Sequence, residues 1–157
     1  MVEENGCLSD CSDRDLNYET AKAVLNEAHR AWSVGDIEGV LRTYAEDILF
    51  QRNSVEGEQP LAIRGRDAMR AYLIPIAEKA SGVAVLESFE FHAGIARSRV
   101  RYFLQDRETG ETMSGTYRQV VVFRKTLISR MEQYHDAARL AAFFRLIDAP
   151  DVPTETK

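Results

Sequence analysis

Residues Tyr117 to Asp136 read YRQVVVFRKTLISRMEQYHD. Apolar and polar residues alternate on either side of Thr126-Leu127, the pattern of two strands joined by a tight turn. The first strand is expected over Glu111 to Lys125 and the second over Ile128 to His135. Around Val120 to Phe123 both faces are apolar. A sheet covered on one side by helices and on the other by a second copy of the chain would read this way. Alternation also sorts the last strand. Met131, Gln133 and His135 share one face, and Arg130, Glu132 and Tyr134 share the other.

Upstream the period changes. From Leu16 to Val34, Ala21, Val24, Leu25, Ala28, Ala31 and Trp32 recur at spacings of three and four, as on an amphipathic helix. Gly35 ends it as a left-handed cap residue does. Asp36 caps a second helix with Ile37, Val40, Leu41 and Tyr44 as its stripe. Asp47 to Asn53 is a short strand, and residues 53 to 62 form a loop. Asp67 caps a third helix with stripe Ala68, Ala71, Tyr72, Ile76 and Ala80. Pro75 should kink it and Gly82 should end it. Strands follow from Val83 to Phe91, broken at Glu87-Ser88, and from Ile95 to Asp106. Asp106 to Gly110 makes a hairpin turn. After the final strand Asp136 opens a short helix through Phe144.

Helices early and hairpins late define an α+β domain. Three helices should pack on the concave face of a strongly curved, mainly antiparallel sheet and leave a cone with a pocket. At 157 residues the chain is long enough for one buried core. The expected organisation is a disordered leader over 1–15, one domain over 16–147 and a mobile tail over 148–157. The net charge of −5 argues against nucleic-acid binding. No apolar run approaches the roughly 20 residues of a membrane span, and the acidic leader has no apolar core of a secretory signal. A cytoplasmic location is expected. Cys7 and Cys11 are a redox pair, half a metal site, or two exposed thiols in the leader. No HExxH motif or carboxylate cluster is present, so no metal and no cofactor are expected.

Three segments resemble a known superfamily: AHRAWSVGDIEGVLRTYAEDILF from Ala28, GRDAMRAYL from Gly65, and VVVFRKTLISRMEQYHDAARLAAF from Val120. They are similar to the nuclear transport factor 2-like proteins, and within these to the SnoaL-like group named for a polyketide cyclase. The resemblance covers about residues 16 to 147. It implies a cone-shaped cavity, a small apolar or aromatic ligand and a homodimer through the outer sheet face. It also implies a carboxylate on the last strand in catalytic members. Gln133 stands where those resembling epoxide hydrolases carry theirs. An amide orients a substrate or water but is no general base.

His135 is therefore the acid–base candidate, with a structural histidine at a strand end as the alternative. Asp136 either orients His135 or caps the last helix. Gln133, Met131, Trp32, Tyr44 and Tyr117 are candidates for contact with the ligand. The two phenols are possible donors to a carbonyl oxygen. Arg52 either points into the cone or reaches solvent. Arg97, Arg99 and Arg101 share a strand face. They bind an anion, or form a solvated or dimer-facing side paired with Glu87, Glu90 or Glu132. Three functional classes stay open. They are a cofactor-free cyclase, isomerase or dehydratase acting on a small carbonyl compound, a non-catalytic binder, and a dimeric interaction module with a filled cone.

Overall fold

The structure is a computed structural model and describes residues 16–53 and 59–147. The expected leader and tail, with Cys7 and Cys11, lie outside the described residues, as does part of the 53–62 loop. The elements run α1 Tyr18–Ser33, α2 Ile37–Arg42, β1 Tyr44–Arg52, β2 Leu61–Arg64, α3 Arg66–Lys79, β3 Ala80–His92, β4 Ile95–Asp106, β5 Thr112–Arg124, β6 Leu127–Tyr134 and α4 Ala137–Leu146. The strands form one open sheet in the order β2-β1-β6-β5-β4-β3. Every pair is antiparallel except β1 with β6. The last strand thus inserts between the first and the long β3–β5 meander. Register shifts at Leu86/Ser88 in β3 and Val122/Phe123 in β5 bend the strands, as bulges do. The break expected at Glu87-Ser88 is this bulge within one continuous strand.

Local chemistry sets the helix ends. The Asn17 side chain accepts from Thr20 N at 2.9 Å and starts α1. The helix buries Ala21, Leu25, Ala28 and Ala31, and Gly35 follows it at φ +74°. Asp36 Oδ1 accepts from Gly39 N at 2.9 Å and caps α2. α2 closes at Arg42, so Tyr44 begins β1 rather than extending the helical stripe.

α3 corrects several expectations. Its N-cap is Gly65 at φ +90°, and Asp67 lies in the first turn, where it pairs with Arg70 at 2.7 Å. Met69 and Ile76 are buried, with Tyr72 and Leu73 packed beside them, while Ala68 and Ala71 are exposed. The larger side chains remove more apolar area from water than the alanines can, and this sets the helix rotation. The helix runs on past Pro75 to Lys79. Pro75 and Ala71 are both exposed, so the carbonyl that loses its donor faces the solvent side. Gly82 lies within β3 and does not end the helix. The short strand β2, Leu61–Arg64, begins within the expected 53–62 loop and pairs with β1.

The main core joins α1, α2 and α3 to the concave side of β1, β4, β5 and β6, around Leu25, Leu41, Ile48, Met69, Val121 and Ile128. A second cluster places Leu140, Phe143, Phe144 and Ile147 from α4 against Ile76 and Ala80. The C-terminal helix therefore covers the wide end of the cone. The outer sheet face is different. Arg97, Arg99 and Arg101 are exposed there, and Arg101 bonds to Glu87 (2.6 Å). Arg97 sits opposite Glu90, whereas Arg99 sits opposite Arg118. Glu132 pairs instead with Arg130 on its own strand, at 2.6 Å.

Candidate functional site

The cone is not filled. A cavity of about 170 Å³ lies between the sheet, α1, α3 and α4. Strand register arranges its floor. Ser98 on β4 faces Gln119 on β5, Gln119 faces Gln133 on β6, and Gln133 faces Arg52 on β1. One cross-strand row of polar residues thus spans the concave face, and Gln119, Gln133 and Arg52 of this row line the cavity. Beside it Tyr102, Tyr117 and His135 form an aromatic ladder. The Tyr102 and Tyr117 rings are 6.0 Å apart, and Tyr117 stacks on His135 at 4.5 Å and 25°. Gly115 makes room for this ladder, because a Cβ there would lie 2.6 Å from Tyr102 Oη.

His135 is positioned from both of its ends. Its backbone N donates to Asn53 Oδ1 at 2.6 Å, and its carbonyl accepts from Asn53 Nδ2 at 2.9 Å. Asn53 follows β1 directly, so this clamp ties the end of β6 to the end of β1. Within the site, His135 Nε2 lies 2.9 Å from Gln133 Oε1. Gln133 directs its own amide nitrogen to Met131 Sδ at 3.5 Å. That leaves Oε1 as the acceptor and assigns the ring hydrogen to Nε2, so Nδ1 carries the lone pair. Burial, and then the nearby Arg52 charge, hold the imidazole at about 4, well below its ordinary value. It is neutral near pH 7.

Asp136 caps α4 by accepting from Arg139 N at 3.1 Å. The His135 ring meets Gln133, so of the two readings of Asp136 the geometry has the helix cap, and no bond from Asp136 to the ring is present among the described residues. Arg52 turns into the cone and is only 4% exposed. Its Nε donates to Tyr72 Oη at 3.2 Å, and its guanidinium lies 5.3 Å from the centre of the Phe144 ring. Tyr44 and Tyr117 both line the cavity, and burial raises each phenol well above its ordinary range. Neither ionises near neutrality, so each remains a donor. Arg66 Nε holds the Tyr44 carbonyl at 2.9 Å. Trp32 and Met131 also line the wall. Gly82 provides the space for Trp32, since a Cβ would lie 3.2 Å from its Nε1 and 2.7 Å from Leu104 Cδ2.

Sequence reasoning missed His29, Gln119, Tyr102 and the α4 wall. His29 lies three residues before Trp32 on α1 and reaches the cavity, where burial alone holds it at about 4. Gln119 is the polar member of the inward series Tyr117, Gln119, Val121, Phe123, and that interruption was its signal. Leu140, Phe143 and Phe144 were legible only as a helix, not as cavity wall. No Asp or Glu lines the cavity among the described residues. Nor do three or more His, Cys, Asp or Glu side chains converge elsewhere among them. No helix among them is long and apolar enough to cross a membrane.

The chain is similar to a proposed isomerase from Bacillus subtilis, with TM-score 0.73, 17% identity, and 83% of this chain and 96% of that chain covered. It is also similar to an NTF2-like protein of unknown function from Burkholderia pseudomallei (TM-score 0.67, 17% identity, 83% and 98% covered). A proposed polyketide cyclase from Xanthomonas campestris aligns with TM-score 0.65, 16% identity, and 84% and 99% covered. No protein-family model and no curated protein sequence matches the chain. At such identities the likeness is one of fold, and fold does not carry activity with it. The strand order, the helices on the concave face and these likenesses together show that this chain has the nuclear transport factor 2-like fold.

Proposed function

We propose that this protein holds a small, mostly apolar carbonyl compound inside the cone. The observation that carries this reading is the polar row on the cavity floor, with Arg52 and Gln133 at one end beside a neutral His135. Apolar walls from Trp32, Met69, Leu140 and Phe143 surround it. Such a surface gains from burying hydrocarbon and has donors for an oxygen acceptor, while Arg52 disfavours a cation. Ligand-observed NMR with acetophenone tests it. Binding is expected in the wild type and not in Leu140→Trp, which fills the cavity. Binding that survives the blocking substitution would place the ligand elsewhere and sink the reading.

A second reading, turnover of the cyclase, isomerase or dehydratase kind, is favoured by the His135–Gln133 contact. A neutral imidazole with its lone pair on Nδ1 accepts a proton from the carbon next to a carbonyl. The electron pair moves to the carbonyl oxygen as an enolate, and Arg52 stabilises that charge. The low basicity of His135 favours return of the proton, to the same carbon or to another. Deuterium exchange into the methyl group of acetophenone in D₂O reports the first step. Exchange above the buffer rate, lost in His135→Gln, is the expected result. Wild-type exchange at the buffer rate would leave the non-catalytic binder. The same inference extends to assembly. Val83, Val85 and Phe103 are exposed apolar side chains on β3 and β4. We propose that copies pair there through the outer sheet face, to be tested by sedimentation of wild type and Phe103→Glu.

A further inference from the structure

Gln119 is the most enclosed polar residue among those described, at 1% exposure, yet its Oε1 and Nε2 have no hydrogen-bond partner among the described residues. It borders the cavity. Two other side-chain atoms share the condition. Ser98 Oγ, on the residue opposite Gln119 in β4, and His29 Nδ1, on α1, are buried without a partner among the described residues. Gln133, the next residue along the row, differs because its oxygen meets His135 and its nitrogen meets Met131. Buried amides are nearly always satisfied, and an apolar side chain at the same place would stabilise the fold. Val121 and Phe123, the following inward positions, show that the strand accepts apolar residues there.

We propose that Gln119 is a ligand-binding residue that sets specificity. Its side chain borders the cavity and carries one acceptor and one donor side by side. Their complement is a donor and an acceptor on one carbon or on adjacent carbons, as in a carboxamide or the enol of a hydroxy-carbonyl compound. His29, which borders the same cavity, offers a further polar group to the same ligand. The inference rests on the reading that the cone holds a small carbonyl compound, and it narrows that class. A simple ketone satisfies only half of Gln119, while a carboxamide satisfies both of its atoms.

Three probes of equal heavy-atom count and closely similar shape test this: benzamide, acetophenone and isopropylbenzene. Dissociation constants are measured by NMR titration on wild type and Gln119→Met, which keeps the length of the side chain and removes both polar atoms. Wild type should prefer benzamide over acetophenone on the order of tenfold, the value of one further net hydrogen bond. In Gln119→Met that preference should vanish and isopropylbenzene should gain. The ligand-free variant should melt at or above the wild-type temperature, because it no longer buries an unsatisfied amide. A benzamide preference that persists in the variant overturns the proposal, and so does a variant that melts well below wild type, since the amide would then be held by internal bonds. If acetophenone binds and benzamide binds no better, Gln119 loses its role while the pocket reading stands. If none of the three binds, both fall.

Discussion

Lowering the pH from 7.5 to 5 should destabilise the fold through two partly buried histidines. Burial holds His29 at about 4, and burial with the Arg52 charge holds His135 at about 4. In the unfolded chain both titrate near 6.5. Between those values the unfolded state binds more protons than the folded one. Stability that is complete above about pH 6.5 is therefore lost progressively as the pH falls toward 4. At pH 5 the loss is about 2 kcal/mol for each histidine and about 4 kcal/mol for the two together. Urea unfolding at a series of pH values reads this directly, and the midpoint should fall by roughly 2 M. The surface carboxylates do not mimic the effect. Glu27, Glu38, Asp47 and Glu132 are held below their ordinary values by arginine or tyrosine partners and matter only at lower pH. His29→Gln and His135→Gln should each remove about half of the pH dependence, and the double variant nearly all of it. A midpoint that stays level from pH 7.5 to 5 would refute the reasoning, and so would a double variant with the wild-type slope. Either would mean that the two imidazoles reach solvent.

Gly82→Ala places a Cβ 2.7 Å from Leu104 Cδ2 and 3.2 Å from Trp32 Nε1. It should cost about 1–3 kcal/mol by overpacking and shift the emission of Trp32, the single tryptophan of the chain. Equal stability with an unchanged spectrum would show that the wall yields freely. Asp36→Ala removes the cap of α2 and should cost about 1 kcal/mol in thermal or urea unfolding. Gly39→Ala should fail to gain the roughly 1 kcal/mol that alanine normally brings to a helix, because its Cβ would lie 2.4 Å from Asp36 Oδ2. A gain of that size would show that the cap moves aside at no cost.

Much of what depends on near neighbours in the chain was read correctly, though Asp67 is not the cap of α3 and Gly82 does not end it. The period of two placed β4 over Ile95–Asp106 without error, and it put Met131 and Gln133 of β6, with His135 just beyond its end, toward the same cavity. The caps Asp36 and Asp136 were legible because an N-cap bonds within three residues of itself. The misreadings share a cause. Tyr44 fits a helical stripe as well as it fits a strand start, and only pairing with β6 decides for the strand. β2 is four residues long, too short to show a period, and exists because β1 offers an edge. The face of α3 turned on the burial of Met69 and Leu73 against the sheet.

By itself the sequence determined the class of the fold, the concave face of the hairpin and the candidacy of His135, because alternation and capping depend on neighbours in the chain. The tertiary structure alone decided what the candidates touch. Cross-strand register joins Ser98, Gln119, Gln133 and Arg52 through pairs that stand 14 to 81 positions apart in the chain. It pairs the His135 ring with Gln133 in place of Asp136, and it brings His29 from the first helix to the same cavity. Burial is a property of the packed whole. The neutrality of the two histidines and the unsatisfied amide of Gln119 arise only when helices and sheet close over them, which no local pattern can encode.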